Sequence, residues 1–140
     1  MTPATADPRE LVRKVAVASD WSVEETSKDQ WAITVVIDPL RKQKVSVRFG
    51  KQDAAGHELI CFDTRCGPAM EENAMTLLRY NSTLVHGAFA IESSAASEHL
   101  VLRSNQLSET ADALEITRSI KAIAWQADEI EQRLLGSDSE

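Results

Sequence analysis

The sequence predicts an α+β protein in which one antiparallel sheet packs against helices. Two patterns support this prediction. Apolar and more polar side chains alternate over 30–38 and again over 44–49, as in half-buried strands. Near the end of the chain, apolar residues recur every three or four positions, as in an amphipathic helix. The predicted order of elements is α-β-β-β-α-β-β-α, and the short links between the first strands favour an antiparallel meander.

The first half of the chain contains one helix and three clear strands. Asp7 can cap the helix, and Pro8 suits its first position. The helix is expected to end near Ser19-Asp20, and a weaker strand can follow at 21–25. The three clear strands are predicted at Gln30–Asp38, Lys44–Phe49 and His57–Thr64.

The second half contains a helix, a hairpin and a long closing helix. Gly67-Pro68 is predicted to end the strands and start the second helix, which should finish near 84–87. The hairpin strands are expected at 88–92 and 99–104. The closing helix is predicted over 109–135, with Ser108 as its cap. Its apolar face is Ala113, Ile116, Ile120, Ile123, Ala127, Ile130 and Leu134.

Size and charge limit the classes of function. The chain has 140 residues, which suits a single domain over 1–140 with an ordered core at about 7–135. Its formal net charge is −7, which argues against nucleic acid or an anionic membrane as the main partner. No signal peptide or long apolar run is visible, so the expected location is the cytoplasm.

Three segments of the second half carry a resemblance to a known family. They are Leu77-Leu78-Arg79-Tyr80-Asn81, His86-Gly87-Ala88-Phe89-Ala90-Ile91 and His99-Leu100-Val101-Leu102-Arg103. Together with the element order, they resemble the type III secretion chaperones of the Tir-chaperone type and the related YbjN-type putative sensory-transduction regulators. The resemblance implies a small acidic homodimer without a cofactor, which binds an extended segment of a client protein. It also implies that the second helix and the neighbouring strand form the dimer contact.

Four residues are the candidates for a partner or dimer interface. Leu77, Leu78 and Tyr80 lie on the second helix, where the resemblance implies the contact. Trp125 lies about 200° around the closing helix from Ile123, so it is predicted to point away from the apolar face. Trp is enriched at binding hot spots. The alternative is that Trp125 covers an edge of the sheet or the first helix.

The apolar face of the closing helix has two possible partners. A coiled coil would carry paired charges beside the face, and most of the flanking residues are uncharged. Packing against the sheet is therefore the favoured prediction. Ile120 then lies in the core.

The cysteines and histidines give no recognisable catalytic or metal motif. Cys61 and Cys66 are too widely spaced along an extended strand for a disulfide, and C-x4-C is a poor zinc motif. They are interpreted as structural thiols, although Cys66 would precede a predicted helix N-terminus that favours thiolate. No catalytic, cofactor-binding or metal residue is predicted. A small enzyme using Cys66 or His86 is the remote alternative.

Basic residues concentrate around one predicted hairpin: Arg41, Lys42, Lys44, Arg48 and Lys51. A solvated strand face is the favoured interpretation, and contact with an acidic segment of a client is the alternative. The sequence as a whole predicts a non-enzymatic protein-binding module that is homodimeric and resembles secretion chaperones. A YbjN-type regulator acting on a signalling partner is the second hypothesis.

Overall fold

The computed structural model describes residues 7–136 and has the predicted α+β architecture. Every pair of neighbouring strands in its six-stranded sheet is antiparallel, and the strand order is β1-β2-β3-β4-β6-β5. The strands are β1 Ser22–Glu24, β2 Gln30–Asp38, β3 Arg41–Gln52, β4 Glu58–Pro68, β5 Ala88–Ser93 and β6 Glu98–Leu107. The helices are α1 Pro8–Ser19, α2 Ala74–Asn81 and α3 Ala113–Ile130, with a 3-10 turn at Glu71–Asn73 and a π-helical turn at Glu131–Gly136.

The hydrophobic core lies between one face of the sheet and the helices. Helix α1 contributes Val12 and Val15, and α2 contributes Leu77. Helix α3 presents most of its apolar face to the sheet, so the prediction of packing on the sheet is confirmed. Ile120 is fully buried. Within the described residues, no helix covers the opposite face of the sheet, which we call the outer face.

The second helix begins later than predicted. Gly67 and Pro68 do not end the strand, because a register irregularity between Arg65 and Gly67 lets β4 continue to Pro68. Gly67 has a φ of 122°, which glycine alone adopts easily. The helix also ends earlier than predicted. The hydroxyls of Ser82 and Thr83 donate hydrogen bonds to carbonyls of its last turn and terminate it.

The start of the closing helix was also predicted wrongly. Ser108 is not the cap, because its backbone N–H donates to the carbonyl of Glu58 and extends the pairing with β4. The cap is Asp112, whose carboxylate accepts the N–H of Glu115 at 2.8 Å. Ala113 is therefore the first helical residue, and it is exposed instead of lying on the buried face.

Candidate functional site

An apolar groove lies beside α2, at the edge of the sheet formed by β5. It encloses about 340 Å³. We call it the α2–β5 groove. Its lining is predominantly apolar: Ala69, Met70, Glu71, Ala74, Leu77, Leu78, Asn81, Phe89, Ala90, Ile91, Glu98 and Leu100.

The groove brings together two of the four predicted interface residues. Leu77 is only 7% exposed and belongs to the core, so it forms the floor of the groove. Leu78 is 62% exposed and forms part of the wall. Met70 and Ile91 are exposed large apolar residues that line the same groove. Contiguous exposed apolar surface of this kind commonly marks an interaction site.

Tyr80 lies next to the groove and connects α2 to the π-helical turn that follows α3. Its ring meets that of Phe89 edge to face, with 6.5 Å between the centroids. Its hydroxyl accepts a hydrogen bond from Arg133 at 2.6 Å. Tyr80 is half-buried, so it supports the wall of the groove and presents less surface than Leu78.

Asn81 joins the end of α2 to the edge strand. Its side-chain oxygen accepts the N–H of Phe89 at 2.7 Å, and its amide nitrogen donates to the carbonyl of Phe89 at 3.3 Å. The backbone groups of Phe89 therefore point away from β6, towards the open edge. Strand geometry directs those of Ile91 to the same side. No described residue bonds the backbone N–H or C=O of Ile91 on that side.

Trp125 lies apart from the groove. It is 51% exposed on the side of α3 that faces away from the sheet, as its position on the helix predicts. None of the residues that line the groove comes from α3. The predicted interface residues thus belong to two separate surfaces, the groove and the outer side of α3.

The thiols are buried. Cys66 lies in β4 with no exposed surface, not at a helix N-terminus, so the expected effect of a helix dipole does not apply. Burial raises the pKa of Cys66 to about 12. Burial also raises the pKa of Cys61, and both cysteines are free. A thiol this strongly protonated is a poor nucleophile.

The histidines are not brought together with the thiols. His86 borders two cavities whose lining residues do not include Cys66. His57 is exposed and lies 3.3 Å from Glu109, and His99 is half-buried and lies 3.0 Å from the hydroxyl of Ser97. Among residues 7–136, no group of three His, Cys, Asp or Glu side chains is placed to hold a metal ion.

The fold resembles that of a solved type III secretion chaperone. A solved structure that it resembles is the crystal structure of the chaperone SycH from Yersinia pestis, in complex with a stable fragment of YscM2. The two share 15% sequence identity, with a TM-score of 0.58 over 88% of this chain and 98% of the matched chain. This likeness agrees with the sequence resemblance to type III secretion chaperones. No family model and no curated protein matches the sequence.

In the described part of the chain, no helix has the length and apolarity needed to cross a membrane.

Proposed function

We propose that this protein is a non-enzymatic, homodimeric protein-binding module that holds an extended segment of a client protein. The observation that supports this most directly is the α2–β5 groove, an apolar concavity beside the outer edge of β5, which pairs with no other strand in the described part of the chain. Both features are surfaces that other polypeptide chains commonly occupy. The chaperone-like fold supports the same role.

The homodimer contact is proposed at α2, centred on Leu78 with Leu77 beneath it and Tyr80 at its side. Met75 is also exposed on α2 and enlarges the apolar surface. A second copy placed there would cover these side chains and shield the free edge of β5. Trp125, on the other surface, is proposed as an anchor for the client, because a half-exposed Trp offers a large contact area.

The burial and raised pKa of Cys66 argue against the thiol-dependent enzyme. The YbjN-type regulator would use the same fold with a signalling protein as its partner. Gene neighbourhood separates these two hypotheses, since secretion genes nearby would favour the chaperone. We also propose that the protein acts in the cytoplasm, where buried free thiols such as these stay reduced.

Light scattering after size exclusion tests the dimer. At tens of micromolar protein, we expect a mass about twice the 15.4 kDa of the chain. Leu78→Glu places a charge in the apolar contact and should give a monomer. Leu40→Glu is the matched control, because Leu40 is 93% exposed and lies in the β2–β3 turn, outside the groove. A monomeric wild type, or equal dimers for both variants, would contradict this contact.

Trp125→Ser tests the client surface. The variant should keep the fold and the dimer. It should no longer form cross-links to the proteins that cross-link to the wild type in its native cells. Leu114→Ser is the control, because Leu114 is also exposed on α3. An unfolded Trp125→Ser protein would instead show that Trp125 stabilises the fold.

A further inference from the structure

The outer face of the sheet is basic although the chain is acidic. Between β3 and β5, this face carries six cationic side chains and two carboxylates, in a protein whose formal net charge is −7. Four of the cations lie on β3, which extends beyond the predicted strand at both ends. Arg65 and Arg103 join them from β4 and β6 through strand pairing. The cations are Lys42, Lys44, Arg48, Lys51, Arg65 and Arg103, and we call them the basic face.

Arg41 does not belong to the basic face, although it directly precedes Lys42 in the sequence. Its guanidinium forms salt bridges with Asp38 and Asp128 at the end of α3. The fold therefore separates Arg41 from the rest of the sequence cluster. Arg65 and Arg103, from β4 and β6, lie beside the cations that remain on the outer face.

Part of the basic face lines an open, polar cavity of about 620 Å³. Lys42, Lys44, Arg48 and Arg65 line it, together with Ser46 and the serines of the β5–β6 turn. Glu131 borders it from the helical side. The cavity is thus a concave surface with several hydroxyl donors and cationic groups, which differs from the apolar α2–β5 groove.

The carboxylates on this face are already paired. Asp63 accepts from Arg48 at 2.7 Å, and Glu92 lies 3.6 Å from Arg103 and 3.9 Å from Arg65. Lys42 and Lys44 form no salt bridge with any described residue. Their charges are therefore available to a ligand.

Two guanidinium groups also have unused donors. The Nε atoms of Arg48 and Arg103 are buried without a hydrogen-bond partner among the described residues. Because these Nε atoms are buried, a ligand would meet the outer nitrogens of the two guanidinium groups, and such nitrogens form charge-assisted hydrogen bonds with carboxylates.

We propose that the basic face binds an acidic, extended segment of a partner protein. The distance from β3 to β5 is three strand spacings, or about 14 Å, which four or five extended residues span. A polypeptide fits better than a nucleic acid, because no Phe, Tyr or Trp among the described residues is exposed on this face for base stacking, and the rest of the chain repels a long polyanion. The proposal is independent of the α2–β5 groove, and its failure would leave the proposed dimer contact unaffected.

Fluorescence anisotropy tests the proposal with a labelled, capped peptide containing four glutamates in an alternating Glu/Ser context. A second peptide with glutamine in place of each glutamate is the neutral probe. We expect the acidic peptide to bind at low ionic strength, to dissociate as salt is added, and to bind far more tightly than the neutral one. The double variant Lys42→Glu/Lys44→Glu should weaken binding at least about tenfold.

The control is Lys14→Glu/Lys121→Glu, which makes the same change in net charge at exposed lysines of α1 and α3. It should change the affinity by less than about threefold, and circular dichroism should show both double variants folded. Equal losses in the two double variants would overturn the proposal, because net charge alone would then explain binding. Equal binding of the neutral peptide, or no binding of the acidic one, would also overturn it. Tighter binding of an oligothymidylate of matched charge would indicate a nucleic-acid surface instead.

Discussion

Replacing Asn81 with alanine tests how the end of α2 is fixed to the sheet. The substitution removes two hydrogen bonds to Phe89, one of 2.7 Å and one of 3.3 Å. Each such bond contributes about 1 kcal/mol net, and the partly buried N–H of Phe89 left without its acceptor adds a further penalty of about 1 kcal/mol or more. Alanine recovers roughly 0.5 kcal/mol through its higher helix propensity. The expected loss in free energy of unfolding is therefore about 2.5 kcal/mol.

Urea denaturation followed by circular dichroism, at fixed protein concentration, measures this loss. For a chain of this size, the midpoint of thermal unfolding should fall by roughly 8–10 °C. Asn105→Ala is the control, because Asn105 is exposed on β6 and its side chain forms no hydrogen bond with any residue in 7–136. If Asn81→Ala costs less than about 0.5 kcal/mol, or no more than Asn105→Ala, the bonds to Phe89 do not stabilise the fold as argued.

Two further predictions concern the core. Ile120→Asp places a carboxylate in the core, where no surface is exposed, and should lower the free energy of unfolding by more than about 4 kcal/mol. Lys121→Asp, on the exposed side of α3, should change that free energy little, and urea denaturation of the two variants compares them. Because Cys66 keeps its proton in the folded state up to about pH 12 while the unfolded thiol ionises near pH 9, rising pH favours the unfolded state over that interval. At pH 10 the wild type should have lost about 1.4 kcal/mol more than Cys66→Ala, under reducing conditions, relative to pH 8; an equal pH dependence of the two would contradict the burial argument.

The local patterns predicted the elements whose signals lie close together in sequence. The bounds of α1 and β2 agree with prediction, since Asp7 caps the first and Asp38-Pro39 ends the second. The starts of α2 and α3 were wrong, because Gly67-Pro68 and Ser108 remain paired with other strands. A strand pairing between distant segments can therefore overrule a local turn or cap signal.

The candidate site was predicted only in part for the same reason. Leu78 was predicted from the family resemblance and Trp125 from its position on α3, and both are exposed. Ile91 was not predicted, because its exposure depends on β5 being the edge strand, and the sequence does not state the strand order. Arg65 and Arg103 likewise join the basic face only through the pairing of β4 with β6. Two of the nine residue pairs in that register contain one of these arginines, Asp63–Arg103 and Arg65–Val101, and the partners are distant in sequence.

The one-sided arrangement of the helices accounts for both surfaces. Helix α3 has 18 residues and covers the middle of the sheet, whereas α2 has eight and reaches only its β5 edge. A helix this short leaves apolar side chains such as Ile91 partly uncovered, and these form the wall of the groove.

The outer face receives no helix among the described residues, so its side chains must be compatible with water, and charged residues satisfy that requirement. Because the charges there are mostly positive while the rest of the molecule is acidic, an acidic segment is attracted to the outer face and repelled elsewhere. The apolar groove and the basic face therefore select different chemical features of a partner, and the variants at Leu78 and at Lys42 and Lys44 should affect binding to each surface separately.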